Sequence, residues 1–302
     1  MRIERAAAEH LAGVRAIAAS YGNLDEWPEH PDALDFELAE GALWVAHARG
    51  AVVGYAGVVR HGEIAHLADL FVARDRLGHG IGGALLDAAL PRDGVRTTFA
   101  SGDERALPLY VRAGLRPFAP LLYLGRREGA APAGAARAPA VGPPGAAPSP
   151  AAAASSPAAA ASSPAAAASS PAADGFERAP AAAVAARDAA ASRRNRPDLL
   201  AFLEAAGAYA LIGRRPGCYA VVRPAPAGAW VGPAAAGAAE LLAVADAVLA
   251  AHGGVRLALG GAHPALAPLL ARGFRILGSD TYMASHDGVV DLHEYLPEPD
   301  LG

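Results

Sequence analysis

Between Gly129 and Ala173 this 302-residue chain runs almost wholly in Ala, Pro, Ser and Gly, and Ala-Ala-Ala-Ala-Ser-Ser-Pro occurs three times in succession from Ala151 to Pro171. A seven-residue period invites a coiled coil. Here proline recurs in every repeat and breaks each helical turn. Large apolar side chains that could form a seam are missing as well. The tract, residues 127–175, therefore reads as a long disordered Ala/Pro/Ser linker. It leaves an N-terminal unit, 1–126, and a C-terminal unit, 176–302, each of ordinary domain size.

Bulk properties exclude several classes of function. A formal net charge of −4 gives no electrostatic support to a role on nucleic acid or on an anionic membrane. Cys218 is the single cysteine, so no intrachain disulfide framework can form, which suits a reducing compartment. The N-terminus is charged and lacks the apolar segment of a signal peptide. No uninterrupted apolar run reaches the roughly 20 residues needed to span a bilayer. The expectation is a soluble, cytoplasmic protein.

Both units alternate helix and strand signals. In the first, Ala8–Ser20 carries Leu11, Val14, Ile17 and Ala18 at helical spacing, and Asp32–Gly41 carries Leu34 and Leu38 on one face. Leu43–His47, Val52–Val59 and Ile64–Val72 read as strands. A glycine-rich turn and a helix to Leu90 follow, then a strand at Thr97–Ala100, a helix at Arg105–Ala113 and a final strand at Leu121–Leu124. The second unit gives helices at Ala181–Ala191 and Pro197–Ala206 and strands at Tyr209–Ile212, Cys218–Val222 and Ala229–Gly232. It ends with helix Ala235–Ala251, strand Val255–Leu259, helix Pro264–Ala271 and strand Ile276–Met283. The pattern is α+β, a central mixed sheet flanked by helices, and its recurrence suggests a duplicated fold.

The turn Leu77-Gly-His-Gly-Ile-Gly82 lies between a strand and a helix start. It exposes backbone N–H groups at the positive end of a helix dipole, a site for phosphate. Its glycines let an anion approach the backbone closely. A Rossmann or P-loop reading fits poorly, because the turn follows several strands and no Gly-Lys-Ser/Thr comes after it.

Leu70-Phe-Val-Ala-Arg-Asp-Arg-Leu-Gly-His-Gly-Ile-Gly-Gly-Ala-Leu-Leu86 resembles the acyl-CoA signature of the GNAT superfamily of N-acetyltransferases: a strand, Gln/Arg-x-x-Gly-x-Gly/Ala, then a helix. Asp103-Glu-Arg-Ala-Leu-Pro-Leu-Tyr-Val-Arg-Ala-Gly-Leu-Arg116 resembles the family's Asn-x-x-Ala-x-x-Leu-Tyr-x-x-x-Gly-Phe segment. The resemblance covers roughly Arg2 to Arg126. It implies acetyl-CoA as co-substrate and transfer of its acetyl group to a primary amine by direct attack. The pyrophosphate would sit on the N–H groups of Leu77, Gly78, His79, Gly80, Ile81 and Gly82, with pantetheine paired like a strand beside Phe71 and Val72. Tyr110 falls where the family's tyrosine protonates the leaving thiolate. This chain departs from the pattern at Leu77, Asp103 and Leu115. Asp103 reads equally as a helix N-cap.

Other residues carry two readings each. Asp69 is a candidate general base or a strand carboxylate paired with an arginine. Tyr110 is the acid or a core aromatic. The acidic cluster Asp25, Glu26, Glu29, Asp32, Asp35, Glu37 and Glu40 is a solvated helix face or a surface that favours a cationic small-molecule acceptor. His10, His30, His47, His61 and His66 lack metal-ligand spacing, so no metal is expected. Cys218 reads as inert core.

In the second unit, Val231-Gly-Pro-Ala-Ala-Ala-Gly237 stands where the glycine turn would be, and Pro233 removes a donor there. Leu266–Phe274 echoes Leu107–Leu115, with Leu270 in place of the tyrosine. This unit looks like a degenerate GNAT-like domain that packs on the first and shapes the acceptor site. The pattern resembles tandem GNAT proteins of actinobacteria, including the tail segments Asp280-Thr-Tyr-Met283 and Tyr295-Leu-Pro-Glu-Pro-Asp300. Two fused halves could replace a homodimer, so both monomer and homodimer stand. The rival readings are a non-catalytic acyl-CoA-binding or ligand-sensing module, and an acyltransferase with another acyl group or a peptide acceptor.

Overall fold

The computed structural model describes residues 1–27, 30–129 and 175–302; the low-complexity tract, apart from its ends, and Glu29 lie outside them. The first half contains β1 (Arg2–Arg5), α1 (Leu11–Tyr21), α2 (Ala33–Ala39), β2 (Ala42–Ala48), β3 (Ala51–His61), β4 (Ile64–Val72), α3 (Ile81–Ala89), β5 (Val95–Ala100), α4 (Ala106–Arg112) and β6 (Arg116–Arg127). The second contains β7 (Phe176–Pro180), α5 (Ala185–Ser192), α6 (Pro197–Ala205), β8 (Tyr209–Gly213), β9 (Tyr219–Ala225), β10 (Gly228–Ala235), α7 (Ala238–His252), β11 (Gly254–Gly260), α8 (Leu266–Ala271), β12 (Arg275–Ala284) and β13 (Tyr295–Leu296). β1 and β7 are strands that apolar periodicity does not announce. They pair at the two edges of the sheet.

Local chemistry sets the helix ends. α1 stops at Gly22, whose φ of 72° is left-handed and costs a glycine little. α2 starts with a capping box: Asp32 accepts from the Asp35 amide at 3.1 Å and Asp35 accepts from the Asp32 amide at 2.9 Å. Arg15 of α1 binds Asp32 at 2.9 Å and Asp35 at 2.7 Å, which ties the two helices together. Two members of the acidic cluster are thus partners of a cation. A third, Glu37, is fully buried. The solvated-face reading fails for Asp32 and Glu37: α2 turns one broad face onto β2 and β3 and carries Glu37 inward with Leu34 and Phe36, while Asp35, on the opposite side and half-buried, is held by Arg15.

The sheet gives the main correction. Among the described residues there is one continuous 13-stranded sheet, with the order β1-β2-β3-β4-β5-β12-β6-β11-β10-β9-β8-β7 and β13 paired to β10. The last strands of the two halves have changed places. β12 pairs with β5, Thr281 opposite Ala100 and Met283 opposite Thr98. β6 pairs with β11 from Arg127 opposite Gly254 to Leu121 opposite Gly260. Strand Leu121–Leu124 therefore does not close its own half. Packing follows the exchange: Met283 joins the apolar core of Leu67, Val72 and Leu86, whereas Leu124 joins that of Val231, Leu257 and Phe274. Each half completes the other's core. Cys218 is buried in the second core.

Candidate active site

The site forms where two neighbouring strands part. β4 and β5 pair in parallel only from Ile64 opposite Val95 to Leu67 opposite Thr98. On its other side β4 carries a bulge: Gly57 faces Asp69 and Val58 faces Leu67, leaving Ala68 as the extra residue. The bulge turns the strand where the ladder to β5 ends. Backbone from Ala68 to Val72 is thereby left with an open edge. A cavity of about 740 Å³ occupies this gap. Ala68–Val72 line one side and Thr98, Phe99 and Ser101 the other.

The glycine turn closes one end of this cavity. Leu77, Gly78, Gly80, Ile81 and Gly82 line it, while His79 does not. The His79 side chain folds back on its own loop, its Nδ1 2.9 Å from the Leu77 carbonyl oxygen. Gly78 and Gly80 have φ of 80° and 75°, and a Cβ at either would meet only open space. Both glycines are required by backbone conformation. The space left beside them suits a bulky anion at the start of α3. Arg74, Arg76, Arg105 and Arg112 also line the cavity. Leu77 packs on the first core.

Phe71 and Val72 both line the cavity, as the strand reading requires. Phe71 stacks on Tyr55 with ring centres 5.5 Å apart, and Tyr21 donates to the Val72 carbonyl oxygen at 2.7 Å. Tyr110 sits on α4, 7 % exposed, and lines the same cavity. Burial, followed by the charges of Asp69 and Asp280, raises its pKa above that of an ordinary phenol, so it stays protonated at neutral pH. Asp69, 6 % exposed, also lines the cavity. Its partner is not an arginine: the Asn23 amide donates to both its oxygens, at 3.1 and 3.2 Å. Burial pushes its pKa up to about 7; Asn23 works against this and Asp300 adds to it. Asp103 lines the cavity and accepts from the Arg105 amide at 2.8 Å, so it caps the turn ahead of α4 and is neutralised by the same residue.

Sequence reasoning missed Asn23, Tyr123, Asp280, Pro299 and Asp300, all of which line the cavity. Three of these come from the second half. The sequence marks them only through the resemblance of the tail and does not tie them to this cavity, because the strand exchange and a long-range path of the tail bring them in. The tail is firmly held: Glu298 pairs with Arg223 at 3.5 Å with both side chains fully buried, the Trp27 indole donates to Asp300 at 2.6 Å, and His61 binds the Leu301 carbonyl at 2.8 Å.

The second half has the same parting of strands, and its own chain fills the gap. β10 and β11 pair in parallel only from Ala229 opposite Val255 to Val231 opposite Leu257. Beyond that, β13 pairs antiparallel with β10, Leu296 opposite Ala234 and Tyr295 opposite Ala235. Leu296 is fully buried in the second core. A Cβ on Gly232 would lie 2.7 Å from the Pro297 carbonyl oxygen. Val231–Ala235 is thus strand and not a loop, since β13 supplies it with a partner. Leu270, at the tyrosine position, packs on that core.

The structure also gathers Glu4, His10 and His47, residues distant in sequence. The Ala7 amide donates to His10 Nδ1 at 3.0 Å, which leaves the proton of a neutral ring on Nε2. That arrangement closes the second nitrogen as a ligand. Among the described residues, no helix is long and apolar enough to cross a membrane.

Residues 39–116 match the family model described as an acetyltransferase (GNAT) domain. A comparison with curated proteins finds no match. Among solved structures, a candidate acetyltransferase from Pyrococcus horikoshii is similar over 100 % of this chain and 95 % of its own, at 13 % identity and a TM-score of 0.66. A tandem GNAT protein from the clavulanic acid biosynthesis pathway is similar over 96 % of this chain and 99 % of its own, at 16 % identity and a TM-score of 0.56. A GCN5-related N-acetyltransferase from Sphaerobacter thermophilus covers 94 % of each chain, at 14 % identity and a TM-score of 0.53. At such identities the likeness carries the fold and stops there.

Proposed function

We propose that this chain is an N-acetyltransferase with one working cleft, in the first half, because residues 39–116 match a GNAT acetyltransferase domain and the chain has the tandem form of the fold. The cleft takes acetyl-CoA and a primary amine. The single observation that carries this reading is the convergence of glycine turn, open β4 edge, Asp69 and Tyr110 on one cavity. Acetyl-CoA supplies the activated acyl group. Free N–H groups at the start of α3, with the arginines around them, suit its phosphates. The open edge of β4 suits an extended amide-bearing chain.

Each remaining part of the chemistry has a residue here. An amine that attacks the thioester carbonyl forms the C–N bond and loses a proton. Asp69 accepts that proton, directly or through one water, and its raised pKa near neutrality suits the task. As the C–S bond breaks, Tyr110 gives a proton to the departing sulfur. The products are the amide and the free thiol, and protons balance across the two residues. The closed gap between β10 and β11 supports assignment of the chemistry to the first half alone.

Tyr110→Phe tests the acid. Turnover should fall about 100-fold or more, the ordinary range for loss of a positioned proton donor. Affinity for acetyl-CoA should hold, because the phenol contributes little to binding. Unchanged turnover removes Tyr110 from the reaction. Acetyl-CoA binding with no amine-dependent thiol release would favour the non-catalytic module instead.

A further inference from the structure

We propose that the second half sets the acceptor specificity of the first: Asp300 and Asp280 bind the distal ammonium of an acceptor that carries two amino groups, an alkyl diamine or polyamine. The inference rests on the N-acetyltransferase reading of the cleft and names its acceptor class.

Charge in the cavity is divided. Arginines lie at the glycine turn and around α4, where phosphate belongs. Asp69, Asp280 and Asp300 line the rest. Each carboxylate is oriented by a neutral donor: Asn23 for Asp69, the Tyr123 hydroxyl for Asp280 at 2.7 Å, and the Trp27 indole for Asp300 at 2.6 Å. Among the described residues no ion pair reaches Asp69 or Asp280, and Arg223 approaches Asp300 only at 3.8 Å. The chain has no lysine at all to answer this charge. A cationic ligand is what the cavity lacks.

A second observation marks where such a ligand would react. Tyr110 is 7 % exposed and its hydroxyl makes no hydrogen bond to another described residue, although it lines this cavity. The ring is buried while the unpartnered hydroxyl is open to the cavity, where a ligand or water can take it up. One amino group placed between Asp69 and Tyr110 leaves Asp280 and Asp300 for a second.

The position of Asp300 is built. Its tail is pinned at β13, which occupies the gap between β10 and β11, and again at the buried Glu298–Arg223 pair. Beyond Asp300, Leu301 is buried in a core shared by both halves, and Arg194 donates to the Gly302 carbonyl at 2.9 Å. The segment that closes the second cleft therefore delivers a carboxylate to the first.

The experiment is calorimetric titration of the full chain, in the presence of CoA, with 1,4-diaminobutane and with butylamine. The diamine should bind at least about tenfold more tightly, the ordinary size of one charge-assisted hydrogen bond. Asp300→Asn keeps an oxygen for the Trp27 indole and should weaken the diamine about tenfold while affecting butylamine little. Asp280→Asn should do the same by an independent route. Retained affinity for CoA, read in the same cell, shows that each variant is folded. Equal affinity for the two amines, or a preference that survives both substitutions, overturns the inference with the N-acetyltransferase reading left standing. Absence of CoA binding overturns both.

Discussion

Asp69→Asn addresses the base through a quantity that a structural role would not move, the pH profile. An ordinary aspartate titrates near 3.8 and would leave kcat/KM flat across neutrality. Burial, with help from Asp300, lifts Asp69 to about 7. Only the ionised carboxylate can take the proton from the amine. Wild-type kcat/KM should therefore rise with pH through a midpoint near 7. At pH 5 about one per cent of the carboxylate would be ionised against half at the midpoint, a loss of about 50-fold. The amine's own ionisation near pH 10 adds a constant tenfold rise per pH unit below that pH, and this is removed by expressing KM in free, neutral amine. Asp69→Asn should lower the plateau by about 100-fold or more and remove the lower limb. Asn23→Ala provides the internal check. It deletes the two hydrogen bonds that stabilise the carboxylate, so the limb should move to higher pH. Steady-state thiol release at saturating acetyl-CoA between about pH 5 and 9 measures all three. A flat wild-type profile, or a limb that stays in the Asn variant, refutes Asp69 as the base.

Two further predictions concern the fold. Residues 1–129 alone should not melt cooperatively, because β5 and β6 bracket β12 and Met283 is missing from the first core. Mixed with residues 175–302, the fragment should form a one-to-one complex, read by circular dichroism and sedimentation; a stable, folded 1–129 monomer contradicts the exchange. Glu37 is buried with neither carboxylate oxygen partnered, and burial, then Asp69 and Asp300, raise its pKa well above 4.5. The folded state thus keeps a proton that the unfolded chain loses near that pH. The stability tied to this proton is whole at lower pH and is lost as pH rises toward the folded pKa, by about 1.4 kcal/mol per unit. Glu37→Gln does not titrate, so its stability relative to wild type should grow between about pH 5 and 8 in urea unfolding, and a constant difference argues against a protonated Glu37.

Much of the arrangement could be read from the sequence. The strand–glycine turn–helix of residues 64–90 and the tyrosine helix 106–112 are local patterns, and they stand where periodicity and glycine chemistry put them. Gly78 and Gly80 announce a backbone that only glycine adopts cheaply, and the structure gives both positive φ. Sheet partners were not legible, because β6 and β12 are similar strands joined to similar halves. Either can satisfy the edge of β5 or β11. Which one does so depends on packing such as that of Met283 in the core of Leu67, more than 200 residues away along the chain. The same non-locality hid Asp280 and Asp300. Glu37 was misread for a different reason: its neighbours Asp35 and Glu40 sit on the other side of a two-turn helix, and composition does not tell faces apart.

The central claim is that one chain holds one acyl-CoA cleft, formed in the first half and closed in the second. Calorimetric titration of the full chain with acetyl-CoA measures this directly. The account predicts saturable binding at one molecule per chain, because β13 occupies the gap between β10 and β11. No binding, or two molecules per chain, would contradict it.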